Sequence, residues 1–347
     1  LLIISTTVKY VIAAFFGAVV YCEWFIYLVQ QQYWTDLECG EHDSTCTKIL
    51  FIADPQIQGD LAVPPPLSYL FNWDSDRYLK STFKVVANYF KPDILVYLGD
   101  LMDEGSIATF YVFKNYRNLV WLPGDNDIGG ENEPISHIKI AEFEKVFTQP
   151  SVILFSNVSL YKVNAITYTY PQKAEIIGAE NNFKIVVSHY PTISGSGLHV
   201  IIKTFFLQII NEIHPNIFFC AHDHESKYVK QNKDLTHRVT SWFNAPKSTL
   251  SISFEDDTLY EIYVPTCSYR MGTSNIGYGA AILENNNQNM RYTVFWSSTR
   301  FPYLFLYVAI LIILMMYCLV FCAARLLYRK AKPTTKTADM SPLLERI

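Results

Sequence analysis

Five short clusters of acidic, histidine and amide residues punctuate the 347-residue chain: Asp54-Pro-Gln56, Gly99-Asp100, Gly124-Asp125-Asn126-Asp127, Ser188-His189 and His222-Asp223-His224. Together they offer the carboxylates of Asp54, Asp100 and Asp125, the imidazoles of His189, His222 and His224, and the Gln56 amide. Asp127 sits beside them. A mixed set of imidazole and carboxylate donors suits first-row divalent ions such as Mn, Fe or Zn. Two ions about 3.5–4 Å apart need a bridging carboxylate, for which Asp100 is the candidate. Such a pair clamps phosphoryl oxygens, lowers the pKa of a bridging water and stabilises charge at phosphorus, so no covalent protein nucleophile is required. Singly, each cluster is ordinary, because an Asp after a strand is commonly a turn or cap residue. The recurrence of five such tips in one chain points to a two-metal centre.

Each cluster needs an element that ends where it begins. Lys48–Ala53 (KILFIA) runs into Asp54, Ile94–Leu98 (ILVYL) into Gly99-Asp100, and Leu119–Pro123 (LVWLP) into Gly124. Lys184–Val187 (KIVV) runs into Ser188-His189, and Asn216–Cys220 (NIFFC) into Ala221-His222. Bulky apolar runs of this length, closed by turn formers, read as buried strands. Between them the pattern predicts helices over Asp76–Phe90, over Ser136–Phe147 with a serine cap, and over Leu198–Ile213, ended by Pro215. Alternating strands and helices imply parallel pairing, with the loops at the strands' carboxyl ends gathered on one edge. After about residue 240, strand-like runs at Leu250–Phe254, Leu259–Val264, Ala280–Leu283 and Met290–Trp296 predict a second sheet packed on the first.

The ordered series D-x-Q, G-D-x-x-D-E-G, G-[ND]-x-D, S-H-x-P and [GA]-H-x-H resembles the calcineurin-like metallophosphoesterases. Here it reads Asp54-Pro-Gln56, Gly99-Asp-Leu-Met-Asp-Glu-Gly105, Gly124-Asp-Asn-Asp127, Ser188-His-Tyr-Pro191 and Ala221-His-Asp-His224, over about residues 48–228. The resemblance implies an α+β fold, a four-layer α/β/β/α double β-sandwich, and metal-dependent hydrolysis of phosphoric esters. It implies that Asp54, Gln56, Asp100 and His224 hold one divalent ion, and Asp100, Asp125, His189 and His222 the other, with Mn favoured over Fe or Zn. Asp54-Pro-Gln56, Asp103-Glu104-Gly105 and Asp127-Ile128-Gly129 are most similar to a membrane-bound branch. That branch holds the phosphodiesterases that trim ethanolamine phosphate from GPI anchors during export from the endoplasmic reticulum. The expected function is therefore a luminal phosphodiesterase acting on a lipid- or glycan-linked phosphodiester, with the GPI anchor as leading substrate. The alternatives are a weak or inactive binding protein for GPI-anchored cargo, and a luminal phosphomonoesterase.

Departures from the motif matter. The family's third motif is usually Gly-Asn-His-Asp, in which the Asn binds metal and the His is commonly assigned to protonate the leaving oxygen. Asp125 and Asn126 stand at those positions. A carboxylate is an acceptable ligand for a hard divalent ion. An amide is no general acid, and that catalysis is typically worth about 10²–10⁴-fold. The catalytic set is thus Asp100, Asp125 and Asn126, with His199 as candidate proton donor and His137 behind it. Gln56 replaces a His and is a weaker donor. Asp103 is expected to orient a ligand histidine or else to shape a turn, Glu104 and Asp223 to lie near ligands or substrate, and Arg270 to be a surface arginine rather than one that reaches the phosphate from the second sheet. Pro64-Pro-Pro66 with Tyr69, Phe71 and Trp73 reads as an apolar lip that meets lipid or glycan, or else caps the core.

The chain carries 17% charged residues, against roughly a quarter in soluble domains, and part of the apolar excess lies at its ends. Tyr10–Val29 has one charge, Glu23, and Pro302–Ala324 has none; each is long enough to span about 30 Å of hydrocarbon. Arg325, Arg329, Lys330 and Lys332 follow the second run and place the tail in the cytosol. The expected organisation is a stub (1–9), a transmembrane helix (10–29), a luminal linker (30–47), the catalytic domain (48–300), a transmembrane helix (301–324) and a cytosolic tail (325–347). Both termini are then cytosolic in a secretory-pathway membrane. The sequence opens at Leu1 rather than Met, so an upstream segment is expected. Asn157-Val158-Ser159 is a glycosylation sequon, and Cys39 and Cys46 are close enough for a disulfide in an oxidising compartment. The expected partners are the bilayer, the GPI-anchored or other phosphodiester substrate, and coat adaptors reading Asp339 with Leu343-Leu344. With a net charge of −4 and no long basic run, nucleic acid is not expected.

Overall fold

A computed structural model describes residues 6–41, 43–59, 64–103, 118–131, 133–176, 182–193, 200–233, 237–254 and 258–331. Glu104, His199 and the Asp339, Leu343 and Leu344 signal lie outside the described residues. The chain divides into a compact unit, Glu23–Arg300, and a second unit formed by the segments that flank it.

The compact unit contains two sheets. β1 (Thr47–Ile52), β2 (Ile94–Tyr97), β3 (Leu119–Trp121), β10 (Leu250–Ser253), β12 (Ile276–Glu284) and β13 (Asn289–Ser297) form the first, in the order β10-β13-β12-β1-β2-β3. β4 (Val152–Phe155), β5 (Val158–Lys162), β6 (Phe183–Val187), β7 (Ile217–Cys220), β8 (Lys227–Asn232), β9 (Arg238–Trp242) and β11 (Thr258–Tyr263) form the second, in the order β4-β5-β6-β7-β11-β8-β9. β1, β2 and β3 are parallel neighbours, as are β5, β6 and β7. β1, β2, β6 and β7 are interior strands and need apolar residues on both faces, which is why they read as unbroken apolar runs, while β3 lies at an edge.

Here the structure corrects the single parallel sheet expected from sequence. The five motif-bearing strands divide between the sheets, β1, β2 and β3 in one and β6 and β7 in the other. The late strands build no sheet of their own. β10, β12 and β13 join the first and β11 joins the second, because the chain crosses between sheets at Val264–Cys267: Val264 N–H donates to Cys220 O and Cys267 N–H to Ala53 O. Alternate residues of the two sheets, among them Ile49, Phe51, Val96, Ile185, Phe219 and Ile262, interdigitate in one buried core. Phe51 and Phe219 stack across it, ring centroids 3.9 Å apart.

Helices cover the outer faces. α3 (Leu67–Phe90) packs Phe83 on Tyr278 and Phe90 on Phe295 of the first sheet. α7 (Val200–Ile213) buries Phe205, Phe206, Ile209 and Ile213 against Val186 and Phe218 of the second. The result is the four-layer order α/β/β/α. α3 begins nine residues before the sequence reading had it, since Leu67–Ser75 continues the helix behind Pro66. α5 (His137–Val146) starts behind Ser136, whose hydroxyl accepts from Lys139 N–H. α4 (Asp125–Ile128) and α6 (Lys173–Ile176) are single turns.

At the amino end, α1 (Thr6–Val20) passes through a π-helical turn, Tyr21–Phe25, into α2 (Ile26–Val29) and a 3₁₀ turn to Tyr33. Within the compact unit, Tyr27 is buried edge-on to Tyr78. The stretch after it is packed rather than loose: Trp34 Nε1–H donates to Trp296 O at 2.7 Å, and Cys39 and Cys46 form a disulfide. Two helical stretches are long and apolar enough to cross a membrane, Lys9–Tyr33 and Phe301–Tyr328, the second within α8 (Phe301–Ala331).

Candidate metal centre

The loops after β1, β2, β3, β6 and β7 meet at a common edge of the two sheets because their backbones are zipped together. Gln56 N–H donates to Asp100 O, Ile57 N–H to Leu101 O, and Asp103 N–H to Ile57 O. On the other sheet Ser188 N–H donates to Phe219 O and Ala221 N–H to His189 O. Thr266 Oγ1 donates to Asp54 O at 2.9 Å, so the crossing segment pins the first motif.

These loops hold side chains where an extended strand would not aim them. Asp54, Gln56, Asp100, His222 and His224 all have positive φ, between 43° and 69°. Non-glycine residues rarely adopt that region, and such strain concentrates where a structure over-determines a site. The two motif glycines are there for space. A Cβ on Gly124 would lie 2.0 Å from Asp100 Oδ1, and one on Gly99 would lie 2.7 Å from His189 Nδ1.

Two groups of potential ligand atoms result: Asp54, Asp100 and His189, and Asp125, His189 and His222, each within 4.8 Å of one another. His189 Nδ1–H donates to Leu98 O at 2.8 Å. That turns Nε2 toward Asp125 Oδ1 at 2.9 Å and Asp100 Oδ1 at 3.4 Å. His222 Nδ1 lies 3.2 Å from Asp125 Oδ1, and His224 Nε2 3.8 Å from Asp54 Oδ1. Asp54, Asp100 and His189 form a buried floor, while His222 and His224 remain part-exposed at its mouth. Gln56 turns its Nε2 to Asp100 Oδ2 at 3.1 Å and His224 Nε2 at 3.4 Å. A half-turn of the amide presents its carbonyl oxygen there instead, as ligation requires.

The donor set fits divalent cations on an observation of its own. Asp54 is fully buried, and among the described residues neither of its carboxylate oxygens has a hydrogen-bond partner of normal length, with the His222 backbone N–H the donor that faces it. A buried carboxylate without hydrogen bonds is costly unless a cation faces it. Burial pushes the Asp54 pKa well up, and Asp100 and Asp125 add to this. Burial also raises that of Asp100. At His189 burial opposes protonation, but the carboxylates of Asp100, Asp125 and Asp54 outweigh it and raise the pKa to about 10. Burial lowers His224 to about 4, leaving it neutral and able to ligate. Burial and mutual repulsion thus press Asp54 and Asp100 toward their protonated forms, a cost that a bound cation would relieve.

Asp125 faces the two histidines. Asn126 holds Asp100 from both ends, N–H to Oδ1 at 3.0 Å and Nδ2–H to Oδ2 at 2.8 Å. Asp127 accepts backbone N–H bonds from Leu101, Met102 and Gly124, which ties the second motif to the third. His137 opens α5 and is exposed. Asp103 does not orient a histidine as expected. It pairs with Arg270 at 2.6 Å, because Arg270 reaches under the first motif and also donates to Gln56 O at 3.1 Å. Arg270 is therefore no ordinary surface arginine. Asp223 pairs with Lys227 at 2.6 Å.

Two contributors were not singled out from sequence. Tyr190 places its ring 4.2 Å from the His222 ring and 5.6 Å from that of His189; its position between two motif residues was the available signal. Glu261 of β11 is buried and accepts from Thr192 N–H, Thr192 Oγ1–H and Ile193 N–H, fixing the loop that follows His189. Nothing in the sequence marks it except a lone acid in an apolar strand.

Residues 47–226, just over half of the chain, match the sequence profile described as Calcineurin-like phosphoesterase. Among curated proteins the chain is similar to Metallophosphoesterase 1 of Cricetulus griseus, 24% identical over 43% of this chain and 42% of that protein. It is also similar to Metallophosphoesterase 1 of Gallus gallus, 26% identical over 43% and 42%. The match thus spans about two-fifths of the length of those relatives. A solved metallophosphoesterase from Sphaerobacter thermophilus aligns over 71% of this chain and 87% of its own, at 14% identity and a TM-score of 0.39. The profile match and the clustered Asp and His residues support a metal-dependent phosphoesterase.

Proposed function

This chain belongs to the calcineurin-like phosphoesterase family, and from that premise we propose that it is a two-metal phosphodiesterase acting on a lipid- or glycan-linked phosphodiester at a membrane. The observation that carries the reading is the buried Asp54 carboxylate, without a hydrogen-bond partner among the described residues, where candidate ligand side chains from two sheets converge. Asp54, Gln56, Asp100 and His224 would hold one divalent ion, and Asp100, Asp125, His189 and His222 the other. When bound, such a pair supplies Lewis-acid stabilisation of the phosphoryl oxygens. The chain's own residues do the positioning. Leu98 O sets the His189 ring, Asn126 sets both oxygens of Asp100, and Arg270 with Asp103 braces the Gln56 loop.

Ethanolamine phosphate on a GPI anchor in the secretory lumen is the substrate we propose within this class. The two apolar helices support a membrane setting, and the Cys39–Cys46 disulfide supports an oxidising compartment. The cationic residues after the second helix support a luminal catalytic unit and cytosolic termini.

Asn126 favours a second reading, a metal-holding protein that binds such cargo without turnover, since its amide is committed to Asp100. The full chain with Mn and bis-p-nitrophenyl phosphate separates the two. We expect hydrolysis that is lost in Asp100→Asn. Equal rates in the two proteins sink the enzyme reading, and stoichiometric metal without turnover favours the binder. A preference for p-nitrophenyl phosphate makes the protein a phosphomonoesterase.

A further inference from the structure

The first two turns of α3 are patterned inside out. Leu67, Tyr69, Leu70, Phe71 and Trp73 are each exposed by 44% or more, whereas Ser68, Asp74 and Ser75 are buried at 6% or less. A helix on a water-facing surface does the reverse. The remainder of α3 obeys that rule, with Tyr78, Leu79, Phe83, Val86 and Phe90 inward. Such a contiguous exposed apolar patch marks an interaction surface.

What it faces follows from the residues beside it. Asp74, next to Trp73, binds the buried Arg300 guanidinium, Nη2–H to Oδ1 at 2.5 Å. Arg300 also donates to Glu23 Oε1 at 2.9 Å, and Arg77 pairs with Glu23. Glu23 and Arg300 are the two ends of the compact unit, and Phe301, the next residue, opens the apolar helical stretch Phe301–Tyr328, whose first charge is Arg325. The apolar turns of α3 therefore end at Trp73, next to the Asp74 that binds Arg300, the last residue before that helix. Their content also suits the water–hydrocarbon boundary. Tyr and Trp favour that depth, and the Arg77 guanidinium lies over the Trp73 ring at 5.0 Å.

We propose that Leu67–Trp73 is a lipid-facing lip seated in the headgroup region of the bilayer that anchors the chain. The inference rests on the membrane anchoring proposed above and deepens it. The lip is coupled to the metal centre by short links: Asn72 Nδ2–H donates to Gly59 O at 3.4 Å, and Tyr269 O–H to Asp74 Oδ2 at 2.9 Å, with Arg270 on Gln56 O. A lip at headgroup depth holds the site at the membrane surface, where the phosphodiester of a lipid-anchored substrate is presented.

The test uses the full chain reconstituted in phosphatidylcholine vesicles containing lipid brominated near the glycerol end of the acyl chain. The emission carried by Trp73 is the difference between wild type and Trp73→Phe. An apolar face reaching about 5–10 Å into the boundary brings Trp73 within bromine contact, so that difference loses more than half its intensity. Unquenched Trp73 in a protein that resists carbonate extraction overturns the lip and leaves the anchoring standing. Release of the protein by carbonate overturns the anchoring and the lip with it. Neither readout depends on phosphoesterase activity.

Discussion

At the residue scale the centre is a set of carboxylates and imidazoles whose protonation states depend on one another. His189 carries its proton on Nε2, since Nδ1–H is committed to Leu98 O, and the surrounding carboxylates hold that proton up to a pKa of about 10 against the cost of burial. Ligation needs neutral imidazole, so an ion at His189 must expel it. The sign follows: metal affinity rises as pH climbs toward that value and falls on acidification, and binding releases protons. Titration calorimetry with Mn in two buffers of different ionisation enthalpy should therefore give different apparent enthalpies. Identical enthalpies, with affinity constant between neutral and mildly acid pH, would contradict the assignment of His189. Asn126 belongs to the same account. Where a histidine was expected to give up a proton, the amide instead fixes the orientation of the bridging candidate Asp100.

At the scale of elements, the site is made by strands that stop together and by loops bent into unusual conformations. Gly124 shows how little slack they have. An added Cβ meets Asp100 Oδ1 at 2.0 Å and Asp100 N at 2.3 Å. Gly124→Ala should displace Asp100 and lower phosphodiester turnover by about 10²-fold or more, as misplacement near 1 Å commonly does, with the circular dichroism spectrum retained. Turnover within a few-fold of wild type would show that Asp100 is not held there. Much of this was legible in sequence. The five motif strands lie where apolar runs end in Asp or His, and Ser136 caps its helix as its position before the apolar pattern indicates. The partition of those strands between two sheets was not legible, because a buried strand looks alike in either sheet. β4 and β5 and the pair β8–β9 escaped notice. β8, Lys227–Asn232, is largely polar and reads as loop. The braces at Arg270 and Glu261 were hidden for another reason: each acts on a loop far from it in sequence, and local pattern carries no such information.

At the scale of the whole molecule, the ends of the compact unit are locked by a buried ion network. Arg300, 2% exposed, serves Asp74 and Glu23 together. Arg300→Ala leaves the buried Asp74 without its guanidinium and Glu23 with Arg77 alone, a change that costs about 3–5 kcal/mol. It should appear as a lowered denaturation midpoint of the full chain in detergent, while Arg300→Lys recovers part of the loss. A midpoint unchanged by Arg300→Ala would mean that the network contributes nothing to stability. The fold ties this network on α3 to the metal loops through Tyr269 and Arg270, so the anchoring and the chemistry proposed above would bear on the same helix. The central claim, that residues from both sheets jointly hold two divalent ions around Asp100, is tested most directly by counting metal. The full chain, loaded with Mn and freed of excess by gel filtration, is analysed by inductively coupled plasma mass spectrometry beside Asp100→Asn and Asp54→Asn. The account predicts two ions per chain in the wild type and a loss in both variants, larger in Asp100→Asn because that residue serves both positions; two ions retained in Asp100→Asn would contradict it.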